Sequence, residues 1–360
     1  MLFYIPTKVY CEKECVQKHS SELATFGKRA LIVTGRQSSR INGSLHDVEK
    51  SLQTAEISYV IFDEVEENPS VETVMKARDM GLREKVDFVI GVGGGSPLDA
   101  SKAIALMIAN PNETEEVLYE RADLKCLPVV SVPTTCGTGS EVTPYAVLTI
   151  HQKRTKKSIK QKIFPNLALL DATYLKSLTR SVLIHTAVDA LGHLIESYLN
   201  TNANEWNRVY SREGMSVWRQ FKESLQQDTL QEEDYEKLLR SSTLAGMAIA
   251  HTGTSLPHGL SYSVTYEAGY SHGKAVGMFL AGYLSVYKDT EGVQEVLALL
   301  DFENLPDFTR YMSDLLGPID VDKSILSTTV QMLLEDVGKL KNYPYEITEQ
   351  ELKMMAGLIK

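Results

Sequence analysis

Two patterns of apolar and polar positions divide the chain. Up to about residue 175, short runs rich in Val, Ile and Leu alternate with stretches whose apolar residues recur at helical spacing. ALIVTG (30–35), YVIFDEV (59–65), FVIGVGGG (88–95) and LPVVSVPTT (127–135) read as strands. LHDVEKSLQ, SVETVMKARDM and LDASKAIALMIA, lying between them, read as helices built from good helix formers. Strand–helix–strand repetition of this kind predicts a parallel sheet covered by helices. After Asp171 the β signal fades, and segments 182–199, 206–225, 231–250, 273–288, 290–300, 305–316 and 323–340 read as helices. The expected organisation is an α/β domain over residues 1–175 and an all-helical domain over 176–360, with a cleft between them. No repeat, low-complexity tract or flexible linker interrupts the pattern.

Composition narrows the class. A chain of 360 residues is too long for one small core and suits two domains. Apolar residues at 43% and charged residues at 23% are ordinary for a globular protein. A net charge of −10 and the lack of a basic stripe with interleaved aromatics argue against a nucleic-acid partner. The one basic run, Lys153-Arg154 with Lys156-Lys157, reads as a solvated hairpin or loop, with a lysine near a phosphate as the alternative. Cys11, Cys15, Cys126 and Cys136 form no CxxC pair, which points to a reducing, cytoplasmic setting. The opening residues have no basic region leading into an apolar core, so no signal peptide is expected. AVGMFLAGYLSVY is too short to span a bilayer, so no membrane partner is expected.

The chemistry concentrates in three places. Asp189 and His193 lie inside VLIHTAVDALGHLIESYL, a helix apolar almost all round and therefore expected to be buried. Positions i and i+4 share a helix face, so carboxylate and imidazole point the same way and need partners. His258 and His272 follow, each directly before a glycine that leaves room for close approach. One carboxylate and three imidazoles suit a divalent transition metal; the bland alternative is a local Asp–His hydrogen bond. Next, Gly91-Val-Gly93-Gly94-Gly95-Ser96-Pro97 ends a strand and opens a helix. Glycines admit a pyrophosphate to the backbone, helix N–H groups favour an anion, and Pro97 suits the first turn. Asp99 and Lys102 read either as a surface pair or, for Asp99, as a group that orients the loop. The third place is Pro133-Thr134-Thr135-Cys136-Gly137-Thr138-Gly139-Ser140-Glu141, beyond the fourth strand, on the side where open parallel sheets bind ligands.

Together, GGGSPLDASKA, PTTCGTGSEVTPY, DALGHLIESY, the His258-Gly259 pair and HGKAVGM resemble the iron-containing (group III) alcohol dehydrogenase family, in that family's order and over most of the chain. The resemblance implies a dehydroquinate-synthase-like fold: an N-terminal dinucleotide-binding domain on a parallel sheet, an all-α C-terminal domain, and a metal in the cleft. It carries the metal-ligand role to Asp189, His193, His258 and His272. The metal would be Fe²⁺, although these ligands suit Zn²⁺ as well. Gly93, Gly94, Gly95 and Ser96 would hold the pyrophosphate, Thr134, Thr135 and Ser140 would line the nucleotide with Thr138 in the same loop, and Asn68 and Lys157 are weaker carry-overs. Homodimers are common in the family.

Three departures stand out. Cys136 replaces the family's usual alanine. Gly35 stands where many NAD-using members have an aspartate that binds the ribose 2′-hydroxyl and repels a 2′-phosphate. With Arg36, Ser38, Ser39 and Arg40 beside it, NADP(H) is expected over NAD(H). Tyr262 replaces a histidine proposed as a proton relay, and reads equally as a relay or a packed aromatic. His251 is a further pocket candidate, while Glu196, one turn from His193, reads as structural support. The implied activity is hydride transfer between NAD(P)(H) and a small alcohol or aldehyde whose oxygen the metal polarises. A glycerol-type polyol dehydrogenase and a hydroxyacid-oxoacid transhydrogenase of the same fold are the alternatives, and a non-catalytic nucleotide sensor is the rival from another class.

Overall fold

A strand that is apolar at nearly every position must be covered on both faces, and the first half of the chain meets that demand with a six-stranded parallel sheet. Its strands are β1 (Lys8–Cys11), β2 (Arg29–Thr34), β3 (Ser58–Phe62), β4 (Phe88–Gly93), β5 (Val129–Pro133) and β8 (Leu167–Leu170). Between β5 and β8, strands β6 (Val147–Ile150) and β7 (Thr155–Ser158) pair antiparallel as a separate ribbon. The computed structural model describes residues 3–153 and 155–359, so Arg154 of the basic run lies outside the described residues.

Alternation along the strands builds two cores. Leu31, Val33 and Val89 face one way, joining Val74 and Ala77 of helix α2 (Val71–Glu84) and Ile104 of α3 (Gly95–Ala109). Ala30, Ile32, Phe88, Ile90 and Val92 face the other way, against Leu45, Val48 and Leu52 of α1 (Ser44–Thr54). The strand order is β1-β8-β5-β4-β2-β3. From β2 the chain steps outward to β3, then returns to β4 and builds the other half, so the order reverses between β2 and β4. The turns after those two strands, Gly35 and Gly93–Gly95, therefore flank the topological switch point where such sheets bind ligands.

The four strands expected from sequence form. Strands β1 and β8 were not anticipated: each has four residues, too few for a periodic signal. The β6–β7 ribbon is the hairpin form of the reading given to the basic run, with Lys156 and Lys157 on β7.

This compact unit comprises Ile5–Thr135 with Gly139–Leu178, and a second contains Thr179–Lys360, Cys136–Thr138 and the first four residues. The division falls at Leu178 in the chain, against the expected 175, and three residues of the PTTCGTGSE loop belong to the second unit.

The second unit is helical. Its central element, α4 (Arg180–Tyr198), starts where the Thr179 hydroxyl accepts the Val182 N–H, and it is buried at every position from Ala187 to Tyr198. Around it lie α5 (Glu205–Trp218), α6 (Glu232–Thr252), α7 (Leu256–Ala268), α8 (His272–Val286), α9 (Thr290–Leu299), α10 (Leu305–Leu316), α11 (Lys323–Glu335) and α12 (Glu349–Met355). Two expected helices are interrupted: 206–225 breaks after Trp218 and resumes at Lys222, and 323–340 breaks at Asp336, whose side chain caps the next turn. Pro257 sits in the first turn of α7, where its missing N–H costs no hydrogen bond. Among the described residues, no helix is long and apolar enough to cross a membrane.

Candidate metal centre and nucleotide loop

Helix α4 supplies Asp189, the first turn of α7 supplies His258, and the first residue of α8 supplies His272. Among the described residues, their donor atoms all lie within 4.8 Å of one another. Asp189 Oδ1 is 3.3 Å from His258 Nε2 and 3.6 Å from His272 Nε2. Both Asp189 Oδ1 and His258 Nε2 are buried without a hydrogen-bond partner. Leaving a carboxylate oxygen and an imidazole nitrogen unmatched in the interior is costly. A cation between them removes the cost, and the spacing suits one: ligand atoms each about 2.1 Å from a tetrahedral ion lie about 3.4 Å apart.

The close approach depends on glycine. A Cβ at Gly273 would stand 1.7 Å from the carbonyl oxygen of His185, so only glycine lets the start of α8 rest on α4. A Cβ at Gly259 would meet Leu333 Cδ1 at 2.6 Å.

His193, the fourth expected ligand, stacks on His258 with ring centroids 4.4 Å apart, and its Nδ1 faces the Gly137 carbonyl at 3.3 Å. It adjoins the cluster but is not one of the three residues whose donors converge. Glu196, two turns below Asp189 on α4, is fully buried and takes three donors. Its Oε1 accepts the His258 backbone N–H and lies 2.9 Å from His258 Nδ1; its Oε2 accepts the Ser255 N–H. The sequence suggested support for Glu196, and the i, i+4, i+7 spacing of Asp189, His193 and Glu196 was the available signal.

Electrostatics follow from this crowding. Burial would push the Asp189 carboxyl up, but the neighbouring imidazoles of His193, His272 and His258 outweigh it and hold it well below the usual carboxylate range. Burial pushes His193 down to about 4, so its ring is neutral near pH 7. His258 is pushed up to about 10 despite burial, because Glu196 and Asp189 flank its two nitrogens.

Tyr262 lies beside the cluster, its ring parallel to His272 at 6.0 Å between centroids, and 38% exposed. Lys339 Nζ sits 5.2 Å above the same ring. His251 is elsewhere: Nδ1 faces the Met247 carbonyl, Nε2 accepts the Tyr4 N–H, and the ring stacks on Phe3. The Cys136 thiol is fully buried, 3.4 Å from the Thr186 hydroxyl, and burial pushes it up to about 12. It is an inert packing group.

In the α/β unit the glycine loop has the expected form. Gly93 has φ +146°, and a Cβ there would meet Pro97 Cγ at 2.7 Å. Helix α3 then starts with no side-chain cap, which leaves its first-turn N–H groups for water or an anion. Asn68, at φ +58°, donates its N–H to Ser96 Oγ at 3.1 Å. Thr134 is buried and donates its N–H to the Gly93 carbonyl, tying the two loops together, while Thr135 lies against Gly94. Thr138 is half-buried in the helical unit.

Several expected cofactor residues do other work. Asp99 Oδ1 accepts the Ser140 hydroxyl at 2.5 Å and Oδ2 accepts the Val147 N–H, so Asp99 orients the loop and is no surface group. Lys102 is fully buried, donating to Ser140 Oγ and to the carbonyls of Thr143 and Tyr145, and burial pushes its amine down to about 8. Ser140 is thus clamped inside the loop brace. Ser39 is fully buried with its hydroxyl 2.7 Å from that of Thr34, which removes it from the group expected around a 2′-phosphate. Arg36 is exposed, and Arg40 pairs with Asp63 at 2.9 Å. Lys157 is exposed over the Tyr119 ring; Lys156, on the other face of β7, donates to Asn68 Oδ1 at 2.7 Å. Strand alternation puts Lys156, and not Lys157, on the Asn68 side of β7.

Known proteins resemble this chain in sequence and fold. Residues 6–172 match the family "iron-containing alcohol dehydrogenase", and residues 183–355 match "Fe-containing alcohol dehydrogenase family, C-terminal". The crystal structure of an iron-containing alcohol dehydrogenase from Thermotoga maritima is 39% identical, with 98% of each chain covered and a TM-score of 0.91. The mitochondrial hydroxyacid-oxoacid transhydrogenase of Caenorhabditis briggsae is 30% identical over 270 residues, which cover 67% of this chain and 57% of that protein. The chain thus spans just over half the length of that relative. The NADPH-dependent butanol dehydrogenase of Clostridium saccharobutylicum is 28% identical over 371 residues, covering 100% of this chain and 90% of its own. With 98% coverage at 39% identity to the Thermotoga maritima structure and two adjoining family matches, this chain belongs to the iron-containing alcohol dehydrogenase family.

Proposed function

We propose that the chain is a metal-dependent alcohol dehydrogenase or aldehyde reductase that moves a hydride between NADP(H), in preference to NAD(H), and a small alcohol or aldehyde. The observation that carries this reading is the convergence of Asp189, His258 and His272 with two buried donor atoms left unmatched. Those three residues, with His193 beside them, would hold a divalent cation, Fe²⁺ or Zn²⁺, which when bound supplies Lewis acidity for a substrate oxygen. Asp189 provides the negative charge and neutral imidazoles the remaining donors. The Tyr262 hydroxyl is the group for passing a proton to solvent, since its ring lies on His272 and is partly exposed. The first turn of α3, with Gly94, Gly95 and Ser96, would take the pyrophosphate, and Lys156 supports it through Asn68.

The test is an anaerobic assay of NADPH and NADH oxidation with short aldehydes, comparing stripped protein with protein refilled with Fe²⁺ or Zn²⁺. Activity should vanish on stripping and return on refilling. Turnover that ignores metal sinks the reading. The Caenorhabditis briggsae relative supports a second one, transhydrogenation between two substrates on retained cofactor; it would show metal-dependent exchange with no net use of free NADPH. A cytoplasmic homodimer belongs to the first reading, and sizing the purified protein tests the assembly.

Cofactor choice has its own test. A Cβ at position 35 would lie 3.4 Å from the Val65 carbonyl oxygen, an ordinary contact, so Gly35→Asp should fold. The new carboxylate repels a 2′-phosphate, so the KM for NADPH should rise about tenfold or more while that for NADH stays level or falls. A wild-type preference for NADH, or an unchanged ratio in G35D, counts against the NADP assignment.

A further inference from the structure

Helix α4 reaches His258 from both sides. Asp189 Oδ1 faces Nε2, and Glu196 Oε1 faces Nδ1 at 2.9 Å. We infer that Glu196 is the positioning residue of the metal centre: it keeps the His258 proton on Nδ1 and locks the ring plane, so that Nε2 presents its lone pair to the cation. The inference rests on the metal reading proposed above.

Three features of the site support it. Glu196 is fully buried, so its carboxylate must be matched inside the protein, and among the described residues its hydrogen bonds are to the segment carrying His258. It accepts the backbone N–H groups of Ser255 and His258 at the start of α7, a helix whose Ser255 offers no side-chain cap of its own. A carboxylate is favoured at a helix N-terminus, so the same group that fixes the ring also fixes the backbone beneath it. Finally, the ring has little other freedom: His193 stacks on one face at 4.4 Å, and the His272 ring stands edge-on at 5.4 Å. A ligand histidine whose second nitrogen donates to a carboxylate has a set tautomer and greater basicity, and losing that partner typically weakens metal binding about 10–100-fold.

Glutamine is the informative substitution. Its amide has one accepting oxygen and one donating nitrogen, while three donors converge on Glu196. In Glu196→Gln a donor must therefore face a donor, although volume is conserved. The measurement is Zn²⁺ affinity of the full chain by chelator competition, together with ¹⁵N NMR of the Zn²⁺-loaded histidines. We expect E196Q to bind Zn²⁺ about 10–100-fold more weakly and to lose or shift the slowly exchanging Nδ1–H signal of His258. An unchanged far-UV circular dichroism spectrum of E196Q would show that the helical unit is folded; if E196Q is unstable, Glu196→Asp, which shortens the reach while keeping the charge, takes its place with the same expectation. Affinity within threefold of wild type and an unmoved Nδ1–H signal would overturn the inference, leaving Glu196 as a helix cap only. Failure of the wild type itself to bind Zn²⁺ would instead overturn the metal reading on which the inference stands.

Discussion

Gly273→Ala should cost the protein its metal site and much of the stability of its helical unit. The added Cβ would lie 1.7 Å from the His185 carbonyl oxygen and 2.6 Å from its carbon, both backbone atoms that cannot rotate away. Helix α8 must lift off α4 by more than an ångström. Overpacking of this kind costs roughly 1–3 kcal/mol and sometimes more, and the movement starts at the residue next to His272. A displacement of about 1 Å at a catalytic group can cost about 100-fold in rate, so kcat/KM and metal retention should fall at least that far. The melting temperature should drop by several degrees, since about 1 kcal/mol corresponds to about 2–4 °C in a unit of this size. Gly259→Ala is the matched comparison, because it also follows a histidine of the converging set, but its added Cβ would meet side-chain atoms alone, Leu333 Cδ1 at 2.6 Å and Lys339 Cγ at 3.4 Å. It should be milder on every readout. Equal damage from the two alanines would show that the contact with α4 is not what glycine provides at 273.

The reach of the sequence follows from what physical chemistry makes local. A helix apolar all round announces its burial, and Ala187–Tyr198 is buried throughout. Glycine directly after His272 announces close approach, and the His185 contact bears it out. A strand that ends in three glycines before a proline-started helix announces an anion loop, and Gly93 and the uncapped start of α3 have that form. Each of these signals is carried by neighbours in the chain.

What stayed hidden was pairing across the chain. Ser39 looks like a free hydroxyl in TGRQSSR, yet Thr34 sits beneath it and takes it inside. Asp99 and Lys102 look like a surface pair at i, i+3, yet the segment from Ser140 to Val147 folds over both. The choice between Lys156 and Lys157 turns on which face of a four-residue strand looks toward Asn68, and no periodicity in so short a strand settles it. The three donors on Glu196 come from residues about sixty positions away, beyond any local pattern.

Asp189→Asn is the second large effect. The exchange conserves shape and replaces the only carboxylate among the converging donors with a neutral amide. Loss of an outer hydrogen-bond partner costs about 10–100-fold in metal affinity, and loss of an anionic ligand should exceed that upper figure. Stoichiometric metal should therefore disappear from purified D189N, and metal-dependent turnover with it. Raising the pH should not restore binding, because no deprotonation regenerates the missing charge. The metal-free protein carries a separate signature. Asp189 is held below the usual carboxylate range in the folded state, so its contribution to stability is present above the unfolded pKa of about 3.9 and is lost as pH falls. At pH 7, metal-free D189N should melt below metal-free wild type, since the variant lacks that contribution. The two melting temperatures should converge as the pH is lowered through the carboxylate range. A D189N protein that retains one metal per chain would remove Asp189 from the ligand set and leave the buried oxygen between His258 and His272 without a purpose.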